Sequence, residues 1–220
     1  MGAAIKPGGG RAVTAWFTAD LHLGHRNIVD YCNRPFHDVH AMNDALVENW
    51  NEAVAPGDTV GVVGDFALGK IAETLPLVSK LHGHKILVAG NHDRCWAGHG
   101  QRADGWTARY RDAGFDEIVQ GSTRLDIGGV TVVVCHFPYR GDSQDRDRFV
   151  EHRPIDKGDW LLHGHVHDRW VQHGRMINVG VDATNFRPID SETIEAIIRE
   201  GPAEQPILPT SGARRRTAPG

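Results

Sequence analysis

The chain is short of the features that mark several protein classes. No apolar run approaches the roughly 18 residues of a membrane-spanning helix. Only three cysteines occur in 220 residues, Cys32, Cys95 and Cys135, an odd number without a CxxC pair. A disulfide framework and a thiolate zinc site are both disfavoured, and a reducing compartment is expected. Charge of one sign is also scarce. With 24 Lys and Arg against 28 Asp and Glu, the net charge of −4 supplies no general drive toward nucleic acid or anionic membranes. Residues 1–11 are Gly-rich and lack the charged-then-apolar order of a signal peptide. Lys6 stands where a myristoylation motif takes Ser or Thr. A cytoplasmic protein is expected. Residues 11–200 read as one domain, with 1–10 and 201–220 as disordered ends, the latter carrying Arg214-Arg215-Arg216.

Histidine, by contrast, is plentiful at 14 residues. Five of them fall in short clusters: Asp20-Leu21-His22, Gly64-Asp65, Gly90-Asn91-His92-Asp93, His136 and Gly164-His165-Val166-His167. Each cluster follows a β-like apolar run, and the intervals suit strand–helix–strand connections of about 30 residues. Residues 13–18, 59–63, 85–89, 130–135 and 160–162 read as the delivering strands, with 115–119, 123–127 and 176–179 as further strands. Gly128-Gly129 is a two-residue hairpin signal. One helix is expected over 38–54, with Asp38 as N-cap and Met42, Leu46, Trp50 and Val54 on one face. Others are expected over 68–81 with a kink at Pro76, near 103–112, and from a Ser191 cap through Ile198. Strand–helix alternation followed by a strand-rich half predicts an α/β (α+β) domain: a four-layer αββα sandwich of two mixed sheets flanked by helices. The clusters then meet at one end of the sheets.

Asp20 and His22 are two apart, as are His165 and His167, and in extended backbone such pairs point to one side. Asp65 sits in a glycine-flanked turn that lets the backbone approach an ion closely. Its carboxylate can bridge two cations about 3.5–4 Å apart. Asn91 offers a neutral carbonyl oxygen. With His136 these residues make a sulfur-free set of carboxylate, amide and imidazole donors. Such a set suits manganese, favoured here, or iron, zinc and nickel, better than copper(I) or an iron–sulfur cluster. Two divalent ions would polarise a phosphoryl oxygen and turn a bridging water into hydroxide near neutral pH. His92, beside Asn91, is placed to protonate the leaving oxygen, and Asp93 reads as the carboxylate that sets the His92 tautomer.

In this order the clusters resemble the motifs of the calcineurin-like metallophosphoesterase superfamily: D-x-H, G-D, G-N-H-[DE], H and G-H-x-H. The resemblance spans residues 20–167. Phe17-Thr18-Ala19-Asp20-Leu21-His22-Leu23-Gly24-His25, with Asn33-Arg34-Pro35-Phe36 and Asn178-Val179-Gly180-Val181-Asp182, is similar to the small phosphoesterases of bacteria and their phages. The resemblance implies one metal held by Asp20, His22, Asp65 and His167. It implies a second held by Asp65, Asn91, His136 and His165, with Asp65 bridging and His92 as acid or phosphate contact. One departure bears on substrate preference: many members carry an acidic or basic residue shortly after G-D, where this chain has Phe66-Ala67-Leu68-Gly69-Lys70.

The expected activity is hydrolysis of a phosphate ester, a phosphodiester first, with small nucleotide-like diesters such as 2′,3′-cyclic nucleotides leading. The chain shows no cap domain and no extended basic surface for long nucleic acid. A phosphomonoesterase with the same site is the nearest rival. A noncatalytic metal-binding scaffold is a second, against which the intact ligand set and His92 both count. A nuclease drawing on the Arg-rich tail is a third. Gly64-x-x-x-x-Gly69-Lys70 imitates a P-loop, but Ile71 replaces the magnesium-binding hydroxyl. His163 reads as structural, and His25, His82, His84 and His99 as surface or turn residues, with His25 near the pocket mouth. Arg26, Arg94 and Arg140 neighbour the clusters, and guanidinium geometry matches phosphate. Arg140, then Arg26, are the candidates for gripping the substrate.

Overall fold

β-Branched and aromatic residues dominate the apolar runs, and in the computed structural model, which describes residues 14–209, those runs are strands. The first half runs β1 (Ala15–Thr18), α1 (Arg26–Tyr31), α2 (Val39–Ala53), β2 (Thr59–Val62), α3 (Ile71–Thr74), β3 (His84–Val88), α4 (Trp106–Ala113) and β4 (Glu117–Val119). The second half adds β5 (Ser122–Ile127), β6 (Val130–Cys135), β7 (Trp160–His163), β8 (Gln172–Gly174) and β9 (Met176–Asn178). It closes with β10 (Ile189–Asp190), α5 (Ser191–Glu200) and β11 (Ala203–Ile207).

Strands β1 to β4 lie parallel in sequence order, with β10 antiparallel against β1. The second sheet has the order β11-β8-β9-β7-β6-β5, parallel from β6 through β7 to β9 and antiparallel at both flanks. Two mixed sheets with helices thus form the expected α/β sandwich. Strand alternation sorts the core. Phe17, Val63 and Val88 from the first sheet's strands and strand ends join Val132, Val134, Leu162 and Ile177 of the second in one buried cluster. Val62 and Leu87, their chain neighbours, belong instead to a cluster with Met42, Leu46 and Trp50 of α2. The Asp38 carboxylate caps α2, accepting from the His40 and Ala41 N–H groups. In the β5–β6 hairpin Ile127 pairs with Val130, and Gly128 and Gly129 both take left-handed φ, 58° and 81°. A type I′ turn demands that.

Four local expectations are corrected. The stretch 68–81 is not one kinked helix: α3 ends at Thr74 and Leu75–Lys80 winds as a 3-10 helix, with Pro76 in its first turn. Proline has no N–H to give there, so it opens a new turn rather than bending an old one. The helix expected near 103 begins only at Trp106, after Gly105 in the left-handed region. Ser191 is the first helical residue of α5, and Asp190 before it is the cap, accepting from the Thr193 N–H. The tail expected to be disordered from 201 starts with β11, which pairs antiparallel with β8 at the sheet edge, where Pro206 is tolerated. Residues 1–10 and the Arg214-Arg215-Arg216 run lie outside the described residues. Among the described residues no helix is long and apolar enough to cross a membrane.

Asp20, Asp65 and Asn91 follow the C-terminal ends of β1, β2 and β3, and His136 and His165 follow those of β6 and β7. The segment after β9 joins the two sheets at this end: Val179 N–H donates to the His163 carbonyl and Val181 N–H to that of Ala19. The carboxyl end of parallel strands is where open α/β sheets bind ligands.

Candidate metal centre

The chain turns sharply where it leaves each strand. Asp20, His22, Asp65, His165 and His167 have φ of 55°, 52°, 55°, 72° and 52°. That left-handed region costs a non-glycine residue on the order of 1–3 kcal/mol. Cross-strand bonds hold it: Asp20 N–H to Gly64 O and His22 N–H to Asp65 O, each 3.0 Å, and Gly164 N–H to His136 O at 3.1 Å. Neither ligand pair is therefore extended. Asp20 and His22 still converge, with Oδ1 and Nε2 4.0 Å apart. His165 and His167 diverge, the first toward His136 and Asn91, the second toward His22 and Asp182. Glycine is required where the turns touch, because a side chain at Gly64 would run into His136 and one at Gly90 into the Asp65 carboxylate.

Two donor groups result. Asp20, His22 and His167 form one, and Asp20, Asp65 and His136 the other. Asp65 Oδ2 lies 3.6 Å from His22 Nε2 and 3.5 Å from His136 Nε2, between the two. Asn91 Oδ1 lies 3.1 Å from both His136 Nε2 and His165 Nδ1. Asp20 Oδ1 and both ring nitrogens of His22 are buried without any hydrogen-bond partner. Buried polar atoms are rarely left so, and orphaned oxygen and nitrogen lone pairs facing one another fit divalent cations. Burial, then His167 and His92, push the His22 imidazole well below its usual range, which leaves it neutral. Burial lowers His165 to about 4, against the pull of Asp142. Burial raises Asp20, while at Asp65 the neighbouring His136 and His92 outweigh burial and hold the carboxyl below its usual value.

Residues outside the expected ligand set orient the donors. His136 Nδ1 donates to the Val63 carbonyl (2.9 Å), so its Nε2 faces the other donors. His165 Nε2 donates to Asp142 Oδ2 (3.0 Å), which leaves Nδ1 facing inward. Asp142 is gripped in turn by Arg148, Nη2 to Oδ1 at 2.6 Å, and its carboxyl lies far below the usual range because His165 and Arg148 outweigh burial. His167 Nδ1 lies 3.3 Å from Asp182 Oδ2. Asp182 accepts a bidentate pair from buried Arg34 (2.8 and 2.8 Å), which also donates to the Asp20 and Leu21 carbonyls and to Met42 Sδ. Asp142 sits in an Asp- and Arg-rich stretch with no periodicity, and Arg34 and Asp182 stood out only within the resemblance. Cys32 adds a sulfur beside His167 and Asp182, an exception to the sulfur-free set.

His92 stands at the open side, its side chain 43% exposed, its backbone N–H donating to Asp65 Oδ1 at 2.8 Å. Asp93 is not its partner. Both oxygens of the buried Asp93 carboxylate accept backbone N–H groups, from Asp65 (2.9 Å), Phe66 (3.1 Å) and Gly90 (2.9 Å), and so pin one cluster's turn to the other's. Burial and the Asp65 charge push its pKa up to about 7, and these donors oppose the rise. The two arginines expected to grip the substrate both reach the surface. Arg140 is exposed beside Gly174 of β8, and Arg26 lines a surface cleft with Asp30, His37 and His40. His163 is buried between the Gly164 carbonyl and the Trp170 indole, a structural place. His25 is half-buried, its ring 5.4 Å from that of His22.

Comparison with known proteins agrees with this geometry. Residues 36–187 match the Calcineurin-like phosphoesterase superfamily domain, a span that takes in every cluster but Asp20-Leu21-His22. The chain is 36% identical over 191 residues to the Gene 66 protein of Mycobacterium phage D29, covering 76% of this chain and 87% of that protein. It is 34% identical over 182 residues to the Gene 66 protein of Mycobacterium phage L5, covering 76% and 86%. Among solved structures it is similar to AQ665, a protein of unknown function from Aquifex aeolicus, with TM-score 0.64 and 25% identity, over 84% of this chain and 99% of that one. The chain belongs to the calcineurin-like phosphoesterase superfamily.

Proposed function

We propose that the protein is a dinuclear metal-dependent phosphodiesterase acting on small nucleotide-like esters, with 2′,3′-cyclic nucleotides as leading substrates and manganese as leading metal. Asp65 carries the reading: its Oδ2 lies 3.6 Å from His22 Nε2 in one donor group and 3.5 Å from His136 Nε2 in the other, and Asp20 belongs to both groups. Divalent cations, when bound, supply charge neutralisation and Lewis-acid polarisation of the phosphoryl group. The chain's own residues do the rest. His22 is kept neutral by burial, and His136, with Nδ1 committed to Val63, turns Nε2 inward, where Asp65 and Asp20 outweigh burial and raise its pKa. His92 reaches the open side, where its imidazole can pass a proton to the leaving oxygen. One half-exposed imidazole, His92, faces the open side to meet the phosphate. That suits a singly charged diester better than a dianionic monoester.

The test is hydrolysis of bis-p-nitrophenyl phosphate and p-nitrophenyl phosphate by metal-stripped protein with added manganese, beside Asp65→Ala. Manganese-dependent diester cleavage that vanishes in the variant is expected. A preference for the monoester would assign a phosphatase instead, and folded protein inert with every divalent metal would remove the reading.

A further inference from the structure

The segment that follows His92 carries cations that the chemistry above does not use. The guanidinium carbons of Arg94 and Arg109 lie 4.8 and 4.6 Å from the centroid of the same Trp106 ring, within cation–π range. Arg34, Arg124, Arg148, Arg169 and Arg187 each pair with a carboxylate. Among the described residues, neither Arg94 nor Arg109 has such a partner. Both are exposed, while Trp106 is half-buried. The pair is held in place from beneath: the Arg94 N–H donates to the hydroxyl of buried Tyr110 at 3.1 Å, and Trp106, Arg109 and Tyr110 all stand on α4. Trp106 and Arg109, three apart, share a helix face. Arg94 is two residues beyond His92, so their Cα atoms are within about 7 Å. Two guanidinium groups on one indole concentrate positive charge there, and a phosphate brought to them offsets it. Their planar, weakly hydrated forks match phosphate.

We propose that Arg94 and Arg109, carried on Trp106, form a subsite for a second phosphate of the substrate, one borne by the same nucleotide or short strand whose ester is cleaved at the metal centre. This rests on the phosphoesterase reading and narrows it to nucleotide diesters that carry a further phosphate.

The experiment compares kcat/KM for adenosine 2′,3′-cyclic monophosphate with and without a 5′-phosphate. The proteins are wild type, Arg94→Ala, Arg109→Ala and Trp106→Leu, loaded with manganese and checked for fold by circular dichroism. In the wild type the 5′-phosphate raises kcat/KM about tenfold through KM, the scale of one charge-assisted contact. Either arginine variant brings the ratio close to one, and Trp106→Leu lowers it partway. A dinucleotide ending in a 2′,3′-cyclic phosphate separates the sources. An equal gain from its internal linkage assigns the subsite to strands, and a gain confined to the terminal phosphate assigns it to monomers. No gain, or a gain that survives in both arginine variants, overturns the proposal. If the wild type turns over neither substrate, the 2′,3′-cyclic nucleotide reading has failed, and calorimetry on the same proteins decides the subsite. Adenosine 3′,5′-bisphosphate binding about tenfold tighter than adenosine 3′-monophosphate in wild type, but not in Arg94→Ala, sustains it. Equal affinities overturn it.

Discussion

To hold a metal, a histidine presents one ring nitrogen and commits the other, and the Nε2 of His165 is committed to Asp142. Asp142→Asn keeps the volume and removes the charge. Metal affinity is expected to fall about 10–100-fold, read by competition with a chelating dye, and an unchanged affinity would show that Asp142 does not orient the ring. Asp93 and His92 separate in the same way. In Asp93→Asn an amide N–H replaces one acceptor oxygen and faces backbone N–H groups. A buried donor left unpaired costs about 1–3 kcal/mol, so the urea midpoint falls. His92→Ala, at an exposed position, leaves the midpoint in place and lowers turnover about 10²–10⁴-fold. Wild-type stability in Asp93→Asn would refute the pinning of the two turns.

Among the elements, α5 rests on one buried side chain and one cap. Its buried Ile194 belongs to the inter-sheet cluster, and the helix starts where Asp190 accepts the Thr193 N–H at 2.7 Å. Asp190→Ala is expected to cost about 1 kcal/mol and Ser191→Ala close to nothing, both measured by urea unfolding. The reverse order would return the cap to Ser191. The element boundaries that differ from expectation share a cause. Ser191 and Asp190 are both good caps, and only the backbone path decides which carboxylate or hydroxyl reaches a free N–H. At Pro76 the composition marks a break but not whether the turns beyond it are α or 3-10. Pairing with β8 turns 203–207, polar and proline-bearing, into a strand.

For the whole molecule, the tie between Arg34 and Asp182 matters most, because it joins residues 148 apart and fastens the segment after β9 to the turn after β1. Burial works to raise the Asp182 pKa, yet Arg34 and His167 bring it from the usual 3.8 to about 2. The folded value is depressed, so the stability it contributes is present above about pH 4 and lost as pH falls toward 2. That contribution is about 2 kcal/mol. Unfolding free energies of wild type and Asp182→Asn between pH 5 and pH 2.5 test it. The wild type should lose about 2 kcal/mol more than the variant, and parallel losses would count against the tie.

The sequence by itself determined the donor types, their order, and the strands that deliver them. Apolar alternation, glycine at a tight turn and a ligand-bearing side chain are properties of a few consecutive residues, so Asp20, Asp65, Asn91 and His136 were legible together with the sandwich that gathers them. Only the tertiary structure decided that His165 and His167 part toward different donors, because left-handed turns replace the extended backbone that spacing suggests. It also decided that Asp93 pins two turns rather than serving His92, and that Asp142 and Asp182 complete the two outer histidines. Which group a ring nitrogen or a buried carboxylate meets depends on segments brought together from distant parts of the chain, and no local pattern records that meeting.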